Sequence, residues 1–69
     1  MEQYTVKQAR RLANLTIREM AQKLGMSVTT YKSKESHLTR FYYDEACHFS
    51  EITGIPLRRI SFFENSVAE

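Results

Sequence analysis

One proline and two glycines in 69 residues leave few breaks in the chain, and that scarcity favours an all-α fold. A single cysteine, Cys47, excludes an intrachain disulfide and fits a reducing cytoplasm. No apolar run approaches the roughly 20 residues of a membrane-spanning helix, and no signal-peptide pattern opens the chain, so no membrane partner is expected. Cys47 and His48 are adjacent, but no second pair stands at metal-ligand spacing and His37 is far away in sequence. Nothing near them builds an oxyanion hole or orients a base, so neither a metal site nor a Cys–His nucleophile is indicated. The chain is therefore not expected to be an enzyme, and no cofactor or small-molecule ligand is evident.

Length allows one small domain with a small core, with no room in this chain for an effector or self-cleavage domain. Net charge is only +2, a weak nucleic-acid signal, but it is unevenly spread. Residues 1–40 hold eight Lys and Arg against three Glu, a net of +5. Residues 41–69 hold two Arg against five acids, a net of −3. Such a domain can turn one end to a phosphate backbone, although charge alone fits a solvated mixed surface equally well.

The stretch Thr16 to Glu35 organises the rest. Thr16 is a good N-cap, and Glu19 three residues later completes a capping box. Leu15 and Met20 flank the cap as a hydrophobic staple. The helix runs through Leu24 and stops at Gly25, which tolerates the left-handed conformation just past a helix end. Ser27 caps a second helix over Val28 to about Glu35. Ala21 is the small residue where two steeply crossed helices touch, and Met20, Leu24, Met26 and Tyr31 face a shared core. This is the sequence form of a helix-turn-helix.

The string LTIREMAQKLGMSVTTYKSKE resembles the Cro and repressor family of phage and bacterial helix-turn-helix regulators. It shares that family's Leu-Thr opening, apolar-Ala pair, Lys-Leu-Gly turn, following Ser, inward residue at Tyr31 and closing Glu. Ile17 stands where the family usually has Gln. Lys34 stands where an apolar residue is usual, and a stem lying along the core with its ammonium in water is one way to accommodate it.

The resemblance implies a compact all-α bundle of about five short helices, of the lambda-repressor-like kind, formed by residues 1–69 as one domain. It implies sequence-specific binding of double-stranded DNA by a small cytoplasmic transcriptional regulator, as a homodimer at least on DNA. A palindromic operator would then hold two recognition helices about 34 Å apart. Base-reading positions carry over to Val28, Thr29 and Ser33, and Lys32 can reach guanine acceptors or a phosphate. Thr16 and Ile17 at a helix N-terminus, with Arg18 and Thr30 on the motif rim, are candidate phosphate contacts. Ser36 and Arg40 in the following loop are further candidates. Ile17 packs on sugar, on a thymine methyl or in the core, and Val28 meets a thymine methyl or a neighbouring segment. Arg10 matches the family Arg that pairs with the closing Glu, here Glu35; the plainer reading is a free surface Arg.

The remaining chain supplies the core. Thr5 and Gln8 make a capping box for a first helix, whose stripe is Val6, Ala9 and Ala13 with Leu12 at the margin. Asn14 ends it. Leu38 is expected to plug the core. A helix from about Thr39 to Ile52 or Thr53, stopped by Gly54, places Tyr42, Ala46, Phe49 and Ile52 inward. Phe41 and Tyr43 fall off that stripe, at the core's edge or toward a partner. Pro56 opens a short closing helix within 55–63, with Ile55, Leu57 and Ile60 inward. Phe62 and Phe63 are candidate dimer contacts; alternatively Phe62 caps the monomer core and Phe63 is exposed. Residues 64–69 are expected to fray. The rival to DNA binding is a protein-interaction module on the same fold, such as an antitoxin or anti-regulator.

Overall fold

The computed structural model describes residues 3–62; Phe63 and the expected tail 64–69 lie outside them. Among the described residues the order is strand β1 (Tyr4–Thr5), helices α1 (Val6–Leu12), α2 (Ile17–Leu24), α3 (Val28–Glu35) and α4 (Tyr43–Thr53), a 3-10 turn (Leu57–Arg59) and strand β2 (Ile60–Ser61). The fold is mostly helical, broadly as an all-α reading expects, with four α-helices among the described residues. Its two ends meet in a two-stranded parallel ladder, Tyr4 opposite Ile60 and Thr5 opposite Ser61. Two residues per strand leave no period to read in a sequence. Gln3 Nε2 donates to the Arg58 carbonyl at 3.1 Å, and the Arg59 guanidinium lies 5.7 Å from the Tyr4 ring centroid, so side chains reinforce the ladder.

Local chemistry sets the helix ends. Thr5 and Thr16 each accept from the amide three residues on, while Gln8 and Glu19 reach back to the cap amides. Ser27 Oγ accepts from the Thr30 amide at 3.1 Å. The first three helices close alike. A left-handed residue follows each last turn: Asn14 (φ 63°), Gly25 (φ 73°) and His37 (φ 66°). The next amide returns to the carbonyl five residues back: Leu15 to Arg10, Met26 to Ala21 and Leu38 to Ser33, at 3.2, 3.0 and 2.8 Å. At Gly25 a side chain would have space, since no atom lies within 4 Å of an added Cβ; the positive φ alone sets the requirement.

The core collects Val6, Ala9, Met20, Ala21, Tyr31, Phe41, Ala46, Phe49, Ile60 and Phe62, drawn from all four α-helices, strand β2 and the segments beside them. Ala21 is buried on α2, consistent with the close approach that a small side chain allows. Phe41, Phe49 and Phe62 form an edge-to-face trio with centroids 5.1 to 5.9 Å apart.

Four expectations are corrected here. Helix α4 begins at Tyr43, not near Thr39, so residues 38–42 are irregular. That change of register puts Phe41 in the core and leaves Tyr42, its N-cap, exposed. Leu38 does not plug the core; it is 79% exposed, because the left-handed turn at His37 carries it outward. The closing segment is a 3-10 turn followed by a strand, not a short α-helix. Ile60 in that strand and Phe62 just after it are buried and Ser61 between them is half-buried, the alternation of extended chain. Of the two uses considered for Phe62, dimer contact or cap of the monomer core, its 4% exposure and its contacts with Phe41 and Phe49 fit the second.

Candidate nucleic-acid interface

Helix α3 is asymmetric along its length. Its first turn projects Val28, Thr29 and Thr30 outward, and Lys32 is exposed one turn on. Val28 is 37% exposed, so it does not pack fully against a neighbouring segment. Ser33 is half-buried. Thr30 Oγ1 accepts from Ser27 Oγ at 2.9 Å and retains its own proton for an outside acceptor. Inward, Tyr31 is fully buried and Lys34 is 6% exposed.

Two buried charge clusters hold the end of α3. On one side Arg10 Nε donates to Glu35 Oε2 at 2.8 Å, with both side chains about nine-tenths buried. A guanidinium nitrogen of Arg10 also donates to the Leu15 carbonyl at 2.8 Å, and the Tyr31 hydroxyl donates to the same Glu35 oxygen at 2.8 Å. Burial, then the Glu35 carboxylate, hold the Tyr31 phenol well above its ordinary pKa of 10.0. One ion pair thereby ties α1, the turn before α2 and the end of α3. On the other side Lys34 Nζ donates to the Arg40 carbonyl at 2.7 Å and pairs with Glu45 Oε1 at 3.1 Å. It lies 4.9 Å from the Tyr42 ring centroid. Its stem does lie in the core, but its ammonium reaches a carbonyl and a carboxylate, not water.

The candidate phosphate contacts surround this helix unequally. Arg18, Ser36 and Arg40 are exposed. Thr16 is exposed, but its amide is taken by Glu19 Oε1 at 2.9 Å and its hydroxyl accepts from the Glu19 amide. The cap therefore leaves the Ile17 and Arg18 amides, not that of Thr16, for an outside anion. The Ile17 side chain packs partly buried against the core, so any backbone contact it makes comes from its amide. A shallow groove beside Thr16 is lined by Arg10, Arg11, Asn14 and Leu15. Arg11 thus stands near the start of α2, and in the sequence its only signal is the net +5 of the first 40 residues.

No group of three or more His, Cys, Asp or Glu among the described residues is arranged to hold a metal ion, and no helix among them is long and apolar enough to cross a membrane. No family model matches the chain, nor does any curated protein or solved structure.

Proposed function

We propose that the chain is a small double-stranded-DNA-binding transcriptional regulator, in which α2 and α3 act as a lambda-repressor-like helix-turn-helix and α3 reads bases from the major groove. The observation that carries this reading is the asymmetry of α3. A helix whose first turn presents Val28, Thr29 and Thr30 to solvent is braced at its other end by two buried ion pairs. Such a helix can enter a groove without reorganising, and exposed Arg18 on α2 and Arg40 in the segment after α3 are available for phosphates. Val28, Thr29 and Ser33 lack the bidentate donors of Arg, Asn or Gln, so specificity draws on thymine methyls, water and DNA shape, with Lys32 reaching guanine or phosphate. A homodimer on a palindromic cytoplasmic operator completes the proposal. With Phe62 inside, its contact must come from other residues, and Phe63 lies outside the described chain.

The test is selection of a duplex library by the purified chain at two salt concentrations. An enriched palindrome whose binding weakens steeply with salt is expected. Thr29→Ala or Ser33→Ala should alter preference at particular bases, while Arg18→Ala or Arg40→Ala should weaken all sites alike. Binding without enrichment would favour a second reading, a protein-interaction module. That reading draws on Leu38, Tyr42 and Tyr43, large side chains exposed at 79, 67 and 73% between α3 and the first turn of α4.

A further inference from the structure

We infer that Lys34 is a positioning residue, which fixes the backbone of residues 36–42 against α3 so that Arg40 meets a phosphate while α3 lies in the groove. The inference rests on the DNA-binding reading above, and goes beyond it by assigning a role to a buried cation.

The segment between α3 and α4 has few internal anchors. Leu38 is exposed, so the apolar contact that often accompanies a left-handed helix end is missing. The Leu38 and Thr39 amides both return to the Ser33 carbonyl, at 2.8 and 3.3 Å. Beyond Thr39 the chain is held by Phe41 in the core and by polar bonds that converge on Lys34 and Glu45. Lys34 Nζ takes the Arg40 carbonyl, and Glu45 Oε1 accepts from both Lys34 and the Tyr42 amide, the latter at 3.0 Å. The ammonium therefore joins three backbone regions: the last turn of α3, the peptide of Arg40 and the start of α4. Arg40 is bound through its carbonyl and its side chain is exposed. Fixing the peptide while freeing the guanidinium is what a phosphate contact requires. An apolar side chain at position 34 would fill the core but leave the Arg40 carbonyl without this donor. Lys34 itself is too enclosed, at 7% side-chain exposure, to touch DNA.

The experiment compares Lys34→Met, Lys34→Arg, Glu45→Gln and Arg40→Ala in the full chain. The first measurement is amide hydrogen exchange without DNA. Lys34→Met should speed exchange at Thr39 and Tyr42 by roughly 10-fold relative to Met20 and Tyr31, whose amides sit in packed helices. Lys34→Arg should restore much of the protection. Equal acceleration at all four amides, or none, overturns the inference. Glu45→Gln, a milder change at a partly exposed carboxylate, gives the same comparison should Lys34→Met fail to fold. The second measurement is affinity for the selected duplex. Lys34→Met should weaken every sequence roughly 10-fold and lower the salt slope by about one, as Arg40→Ala does, with base preference unchanged. The double variant should bind no worse than Arg40→Ala alone. Losses that multiply would mean that Lys34 acts through its own charge, and would also overturn the inference. If the unmodified chain binds no DNA, the function proposed above fails, while the exchange comparison still decides whether Lys34 holds the loop.

Discussion

Lys34 and Glu35 end α3 side by side, and they carry opposite charges to different neighbours, Glu35 to Arg10 of α1 and Lys34 to Glu45 of α4. Glu35 meets a guanidinium that also holds a carbonyl, and both members of the pair are about nine-tenths buried. Lys34 meets Glu45, which keeps 24% of its side chain in contact with water. The difference lies in what remains when a partner is removed. Without Glu35, the Arg10 cation loses its counter-charge, keeping only the Leu15 carbonyl, and the Tyr31 hydroxyl loses its acceptor in a dry site. Without Lys34, the Glu45 carboxylate can still hydrate. A buried ion pair is therefore best judged by the group it would strand, and less by its own length.

The largest effect should come from Glu35→Ala. A stranded buried charge costs about 3–5 kcal/mol, a large share of the roughly 3–10 kcal/mol expected for a chain of this size. The expected result is loss of most of the cooperative unfolding transition in urea. The double change Arg10→Met with Glu35→Leu should recover much of it, because neither leaves a charge unpaired. If Glu35→Ala unfolds with an unchanged midpoint, the enclosed pair does not have the weight given to it here.

The second cluster should matter less. Lys34→Met should cost about 1–3 kcal/mol, chiefly from the lost donor at the Arg40 carbonyl. A double-mutant cycle with Glu45→Gln should give a coupling near 1 kcal/mol, below that of Arg10 with Glu35. Equal couplings for the two pairs, measured by urea denaturation, would erase the contrast between them.

The two clusters also differ in how well the sequence foretells them. Arg10 with Glu35 is legible through resemblance, because both occupy places where a known family pairs an Arg with a closing Glu. The caps at Thr5, Thr16 and Ser27 and the stop at Gly25 are legible from chemistry alone, since each depends on residues within four positions. Lys34 with Glu45 is not, because its partners depend on where α4 begins. Helical periodicity extended α4 backward over Phe41 and Tyr42, but Glu45 reaches back to the Tyr42 amide and fixes the start at Tyr43. That shift of about four residues decides which aromatic is inside. The parallel ladder was hidden for a related reason: it joins residues more than fifty positions apart through strands of two residues.

Tyr31 sharpens the view of the enclosed cluster through pH. Its phenol is held above the ordinary value of 10.0 first by burial and then by Glu35. The folded chain thus keeps a proton that the unfolded chain releases once pH passes about 10. Below that pH the contribution is complete; above it stability should fall by up to about 1.4 kcal/mol per pH unit from this group. Tyr31→Phe should cost about 1 kcal/mol near neutrality, the worth of one buried hydrogen bond. Its stability should also fall less steeply than the parent's between pH 10 and 11. Urea midpoints at pH 8, 10 and 11 test this, and parallel declines in the two chains would assign the alkaline loss to other groups.

The smallest effect lies at the helix end beyond the second cluster. Among the described residues all four α-helices are followed by a left-handed residue, but only α2 and α4 use glycine for it. Asn14 tolerates that conformation through its short polar side chain, whereas His37 pays the steric cost of a Cβ at φ 66°. His37→Gly removes a strain of about 1–2 kcal/mol and adds freedom to the unfolded chain worth about 0.5–1 kcal/mol. The net gain should lie between zero and about 1.5 kcal/mol, and Asn14→Gly should gain less. If both substitutions raise the thermal midpoint equally, strain at His37 is no greater than at Asn14. If His37→Gly lowers it, the imidazole makes a stabilising contact that outweighs its backbone cost, and the loop after α3 is held by more than the Lys34 cluster.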